Sequence, residues 1–245
     1  DSDTKRYIGL YTVSEVVDEQ FIKTHFRDAS SLLLKPEPGH GGFARGRSWK
    51  EYERVLIPKS TATPAQQEGM LKFIRLVNDA DAVTFRDQIG SFINVENYLR
   101  FIAVTVVLAN LDSYLAMGKN YYIYLDPGSG KLHWIPWDHD LSFGGFFLCG
   151  SPEERMNLSI DNPATVNDEL LKRMLAIPEI KEQYHGLLRE FLAKHFSGAA
   201  RAGRCVHGTL SDGTRVIDDP VVVLHPRGDV ADLNLSPCYA FECRP

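Results

Sequence analysis

Between Asn94 and Asn110 the chain reads NVENYLRFIAVTVVLAN, and Leu99, Ile102, Ala103, Val106, Val107 and Leu108 together cover nearly every face of a helix. A helix apolar almost all round has no proper solvent side and belongs in the middle of a core. Asn94 is placed to cap its first turn. The rest of the chain must therefore supply apolar surfaces on several sides of one central helix.

Those surfaces are legible on both flanks. From Pro64, Met70, Phe73, Ile74 and Val77 recur at spacings of three and four, the stripe of an amphipathic helix, and Val83–Ile89 predicts another short one. Downstream, Asn167 or Asp168 starts a helix carrying Leu170, Leu171, Met174 and Leu175. Pro178 opens the next, whose stripe of Ile180, Tyr184, Leu187, Leu188, Phe191 and Leu192 runs to Phe196. Upstream, Tyr7–Val17 and Leu32–Pro36 read as strands, with a short helix between them from Asp18 to Phe26. The stretch PEPGHGGFARGRS, Pro36 to Ser48, reads as a mobile surface loop, because its glycines, Arg45 and Arg47 fit no phosphate-loop spacing. The class is α+β.

Charge and composition exclude several functions. A net charge of −5 argues against a protein that holds nucleic acid or an anionic membrane by bulk electrostatics. The longest apolar run, Phe101 to Ala109, is interrupted by Thr105 and falls far short of the roughly 20 residues of a bilayer span. The opening DSDTKRYIGLY shows no signal peptide and no initiator Met, so the chain is expected to be cut from something longer. From Ser197 the character changes: arginine without lysine, three of the four cysteines, and no helical period. Residues 197–245 read either as a disordered tail or as a frame-shifted gene end. Cys205, His207, Cys238 and Cys243 match no common zinc spacing.

The chemistry concentrates after the central helix. Tyr121–Leu125 and Lys131–Trp137 flank the turn DPGSG and predict a β-hairpin. Counting back from that turn brings Asn120 opposite Trp137 or Asp138, at the hairpin's open mouth. Asp112, in the loop leaving the helix, reaches the same mouth. Asp140 joins them if the strand continues past Asp138, since alternate residues share a face. Carboxylates in a setting of Trp, Ile and Pro are costly without a positive partner. Hard oxygen donors of this kind suit Mg²⁺ or Mn²⁺. The order of helix, Asp loop, Asn, hairpin, Asp and Phe-Gly is also that of protein-kinase-like folds, although the spacing differs from Asp-x-x-x-x-Asn.

The segments GLYTVSEVVDEQFIK (Gly9–Lys23), YLRFIAVTVVLANLDSY (Tyr98–Tyr114) and NYYIYLDPGSGKLHWIPWDHDLSFGG (Asn120–Gly145) resemble the CotH family of spore-coat-protein-H-type atypical kinases, over about residues 7–196. The resemblance implies a Ser/Thr protein kinase using ATP with Mg²⁺ or Mn²⁺ on a Ser-rich protein substrate, in a secreted, cell-envelope or spore-coat setting. It implies Asp112 as the catalytic-loop acid, Asn120 and Asp138 as metal ligands, Asp140 as the second acid of the motif, and Glu15 and Val17 near the nucleotide in a hinge-like segment. On this reading residues 1–36 end a truncated N-terminal lobe and residues 37–196 form a helical C-terminal lobe. The glycine loop and strand Lys that hold a triphosphate in such folds would lie upstream, since Lys5 and Lys35 are not at the expected place.

Two rivals accompany this reading. A metal-dependent glycosyltransferase also uses Asp-x-Asp to hold Mn²⁺ on a nucleotide diphosphate, but leaves Asp112 and the buried helix unexplained. A non-catalytic coat or surface-binding module would keep the fold without the chemistry. The bland reading of Asp138 and Asp140 is turn capping, of Trp134 and Trp137 core packing, and of His133 and His139 ordinary hydrogen bonding.

Overall fold

The central helix forms where its sequence places it, and the remaining elements pack around it. The computed structural model describes residues 14–26, 28, 30–37, 43, 48–165 and 168–196, and the backbone of 207–209 and 215–217. In chain order the elements are α1 (Glu19–Phe26), β1 (Leu33–Pro36), α2 (Trp49–Tyr52), β2 (Leu56–Pro58), α3 (Pro64–Asp79), α4 (Ala82–Phe92), α5 (Val95–Val107), β3 (Tyr121–Asp126), β4 (Lys131–Pro136), α6 (Pro152–Met156), α7 (Glu169–Leu175), α8 (Pro178–His195), β5 (His207–Thr209) and β6 (Arg215–Ile217). The fold is α+β, with a four-stranded antiparallel sheet in the order β2-β1-β3-β4.

Alternation along the strands divides the apolar side chains between two faces. Leu34, Tyr121, Ile123, Leu132 and Trp134 join the main core with α3, α4, α5, α7 and α8. Leu33, Tyr122, Tyr124 and Ile135 face the other way, where Val17, Ile22, Phe21 and Phe26 cover them. The sheet is thus sandwiched between α1 and the helical body, and Tyr98, Leu99, Ile102 and Ala103 of α5 are fully buried.

The exposed edge of β4 is closed from the start of α5. Asn94 N–H donates to Leu132 O at 3.0 Å beside a parallel bridge between Ile93 and Leu132. Two residues further along β4, the Asn97 side-chain amide takes over as a strand would: Trp134 N–H donates to its Oδ1 at 2.6 Å, and its Nδ2 donates to Trp134 O at 3.2 Å. Asn94 meanwhile caps the helix by accepting from Asn97 N–H at 3.0 Å. Helix and hairpin are fixed to each other by backbone-like hydrogen bonds.

Several expectations need adjustment. Residues 14–17 are not strand, and Tyr7–Val13 lie outside the described residues. Val17 is drawn into the cluster under α1, so this segment packs by its side chain and not by a ladder. The central helix stops at Val107, short of Asn110, because Ala109 turns left-handed. Within the expected surface loop, Phe43 is buried against Phe73 and Trp134, with ring centroids 4.9 and 6.1 Å away. Most of residues 197–245, including Cys205, Cys238 and Cys243, lie outside the described residues; of the described backbone there, β5 and β6 pair antiparallel.

Candidate functional site

The site begins where α5 ends. Ala109 N–H donates to Val106 O at 2.9 Å and Asn110 N–H to Thr105 O at 3.2 Å, the paired bonds of a Schellman ending, with Ala109 at φ 46° where glycine is usual. This reversal sends the chain into a tight loop. Ser113 Oγ donates to Asn110 O at 2.5 Å and accepts from Leu115 N–H at 3.3 Å, and Met117 N–H donates to Ser113 O at 2.9 Å. Asp112, only 6% exposed, is held inside that loop.

The hairpin mouth closes on the same residue. Trp137 N–H donates to Asn120 O at 3.2 Å, which sets Asn120 opposite Trp137 as the register count predicts. Asn120 Nδ2 donates to Asp112 O at 2.6 Å and to Asp112 Oδ2 at 3.1 Å. Asp112 Oδ1 is buried without a well-directed hydrogen bond; Lys119 Nζ stands 2.8 Å away, and this ion pair satisfies it.

Beyond the hairpin the strand does not continue, which corrects the geometry expected for Asp140. β4 ends at Pro136, and Asp138 takes a left-handed φ of 55°. Asp140 nevertheless lies beside Asp138, close enough for their carboxyl groups to hydrogen-bond. The turn that follows brings the chain back to α5: Phe143 N–H donates to Leu108 O at 2.6 Å and Gly144 N–H to Ala109 O at 3.3 Å. The two glycines fit this return. Gly144 sits at φ 71°, and a Cβ on Gly145 would come within 3.1 Å of Ser142 O. Ala109, Asn120, Asp138 and Phe143 are the described non-glycine residues with positive φ, and all four belong to these two loops. Such a concentration of unfavourable backbone is typical of functional sites.

Electrostatics leave the cluster short of positive charge. Partial loss of water, then the neighbouring Asp140 and Asp112 carboxylates, hold Asp138 above the usual carboxylate range, with Lys119 opposing. Burial holds His139 below the usual imidazole range, so it is neutral at pH 7; Asn110 Nδ2 donates to its Nδ1 at 2.9 Å. His139 Nε2 and Asn110 Oδ1 are buried with no partner. Among the described residues no three His, Cys, Asp or Glu side chains already stand in a metal-holding arrangement. The donor chemistry still suits a hard divalent cation, for Asp138 and Asp140 crowd each other and Asn120 adds a neutral amide oxygen.

Asp112, Asn120, Asp138 and Asp140 are therefore neighbours. Glu15 and Val17 take other contacts: Glu15 pairs with His25 Nε2 at 3.1 Å on the surface, and Val17 is buried in the cluster under α1. Lys119 was not among the sequence-derived candidates. Its only signal was its place immediately before Asn120. The Asn110–His139 contact between the two loops was likewise invisible, since nothing in local spacing joins residues so far apart.

A family model described as CotH kinase protein matches residues 3–204. The chain is also 25% identical over 192 residues to the inner spore coat protein H of Bacillus subtilis (strain 168), an alignment covering 77% of this chain and 51% of that protein. The chain spans about half the length of this curated relative.

Proposed function

The chain belongs to the CotH family, and from that premise we propose that it is an atypical Ser/Thr protein kinase whose fold corresponds to the C-terminal lobe of protein-kinase-like enzymes. The observation that carries the reading is the meeting of Asp112, Asn120 and Asp138 at the end of a buried helix and the mouth of a hairpin. Their order matches that of a catalytic acid and two metal ligands in phosphoryl transfer.

Asp112 accepts or orients the proton of a substrate seryl or threonyl hydroxyl. Asn120 fixes the Asp112 carboxylate through Oδ2, and Lys119 balances its charge through Oδ1. Asp138, Asn120 and Asp140 are the residues that would hold Mg²⁺ or Mn²⁺, which would neutralise the phosphate oxygens of ATP and favour in-line transfer. The paired tight loops hold these groups in place before substrate arrives, so little reorganisation is needed at the moment of reaction. A spore-coat location fits the name of the relative.

The test incubates the natural protein with ATP, Mg²⁺ or Mn²⁺ and a Ser-rich peptide and maps phosphate by mass spectrometry. Asp138→Ala should abolish transfer and weaken nucleotide binding. Asp112→Asn, which leaves an acceptor for Asn120 Nδ2, should lower transfer by about 10³-fold or more with the fold intact. Equal phosphorylation by wild type and both variants would refute the residue assignments. A second reading, a coat module without catalysis, is favoured by the relative's description as a coat protein. It predicts neither transfer nor nucleotide binding.

A further inference from the structure

A buried polar node lies behind the loop that carries Asp112 and Asn120. Asp168 is 8% exposed and caps α7, its Oδ1 accepting from Leu171 N–H at 2.7 Å. Capping the Leu171 and Leu170 N–H groups does not by itself account for an ionisable group placed so deep, because serine or threonine would cap as well with no charge to bury. The Tyr114 hydroxyl is its hydrogen-bonding neighbour from the other side. The Tyr98 and Tyr114 hydroxyls lie 3.1 Å apart, so Tyr98, Tyr114 and Asp168 form one connected run of polar groups. All three side chains are almost completely inaccessible to water.

Tyr114 follows Asp112 by two residues, and Tyr121 follows Asn120 directly. The Tyr114 and Tyr121 rings pack edge to face with centroids 5.2 Å apart, and both rings lean on Phe101 of α5 at 5.7 Å. The two ends of the 112–120 loop are thus gathered over one node. The segment leading into Asp168 is tied to the same loop, with Thr165 N–H donating to Leu115 O at 2.8 Å.

We infer that Asp168 is a positioning residue, which through Tyr114 holds the Asp112 loop in the geometry that brings Asp112 and Asn120 together. The inference rests on the proposed reading of those two residues. It assigns Asp168 no contact with substrate.

Hydrogen exchange followed by mass spectrometry on the natural protein tests it, with phosphotransfer measured in parallel. Tyr114→Phe deletes the hydroxyl and keeps the ring. Asp168→Asn keeps a carbonyl for Leu171 N–H but can no longer both cap and accept from Tyr114. Each should speed amide exchange across residues 109–121 about tenfold while α7 stays protected. The double variant should be no worse than the more severe single one, as expected when both remove the same contact. Transfer should show kcat about tenfold lower with the nucleotide KM little changed. Unaltered exchange in 109–121 for Tyr114→Phe, with Asp168→Ala loosening α7 alone, would overturn the inference and leave Asp168 a helix cap. If Asp168→Asn fails to fold, Tyr114→Phe decides the question alone. Absence of transfer in the wild type would count against the proposed function, while the exchange pattern would still decide this inference.

Discussion

Asp138 shows the tension between stability and chemistry at a single residue. Lost hydration and two neighbouring carboxylates raise its pKa in the folded state, so the native protein binds more protons than the unfolded chain just above the ordinary Asp value of about 4. Without a bound cation, stability falls as pH rises from there through the raised pKa, and the ionised form stays unfavourable at neutral pH. Asp138→Asn removes the repulsion and suits the left-handed backbone at φ 55°, which asparagine tolerates well. This variant should melt at a higher temperature than the metal-free wild type at pH 7, with the difference vanishing near pH 3, while metal-dependent nucleotide binding is lost. A lower melting temperature at pH 7 would show that the acid stabilises the loop. The same backbone feature explains what was readable in the sequence. Asn120 and Asp138 are residue types that accept positive φ, and the hairpin count brought them together. Ala109 and Phe143 carry no such signature, and Lys119 became visible only when the loop folded it onto Asp112.

Among the elements, the join between α5 and β4 decides whether Asp112 and Asp138 share a site at all, since one follows the helix and the other the strand. Asn97 makes that join with two hydrogen bonds to the Trp134 backbone. Asn97→Ala leaves an N–H and a C=O partly buried and unpaired, at a cost of about 2–3 kcal/mol in urea unfolding. Asn97→Asp keeps the acceptor for Trp134 N–H and loses the donor to Trp134 O, so it should fall between wild type and alanine. A loss below about 0.5 kcal/mol for alanine would mean that the edge of β4 is solvated without penalty. The long elements were legible because three-and-four spacing over many residues averages out local exceptions, as in α3, and because a cap or proline marks their starts, as Asn94 and Pro178 do. The short ones were not: α2, β2 and α6 are held by neighbours, and none is long enough to show a period. β2 exists because β1 offers it a ladder from Leu34 to Pro36, information that lies outside its own three residues.

Across the whole molecule, α7 joins the helical body in two independent ways, which lets stability and activity be separated. At one end Asp168 neighbours Tyr114, in the loop that carries Asp112. On the side toward α3 and α4, Arg173 reaches the turn between these helices, where Nη1 donates to Val77 O at 2.8 Å and Leu76 O at 3.3 Å, and Nη2 to Ala80 O at 2.7 Å and Asp81 O at 2.9 Å. The guanidinium also covers the Phe85 ring at 4.2 Å. It thereby satisfies carbonyls at the C-terminal end of α3 that the helix itself cannot, where the helix dipole also favours a cation. Lysine has one ammonium in place of a planar fork and cannot serve carbonyls on both sides. Arg173→Lys should therefore destabilise the fold almost as much as Arg173→Met, each by about 2–4 kcal/mol in denaturant unfolding. Neither touches Asp112, Asn120 or Asp138. Below the melting transition, kcat of any phosphotransfer should remain within about twofold of wild type, opposite to the pattern expected for Tyr114→Phe, where turnover falls. A large drop in kcat for Arg173→Met at a temperature where it is fully folded would mean that α7 transmits strain from α3 to the Asp112 loop, and the two ends of this short helix would then act as one rigid lever.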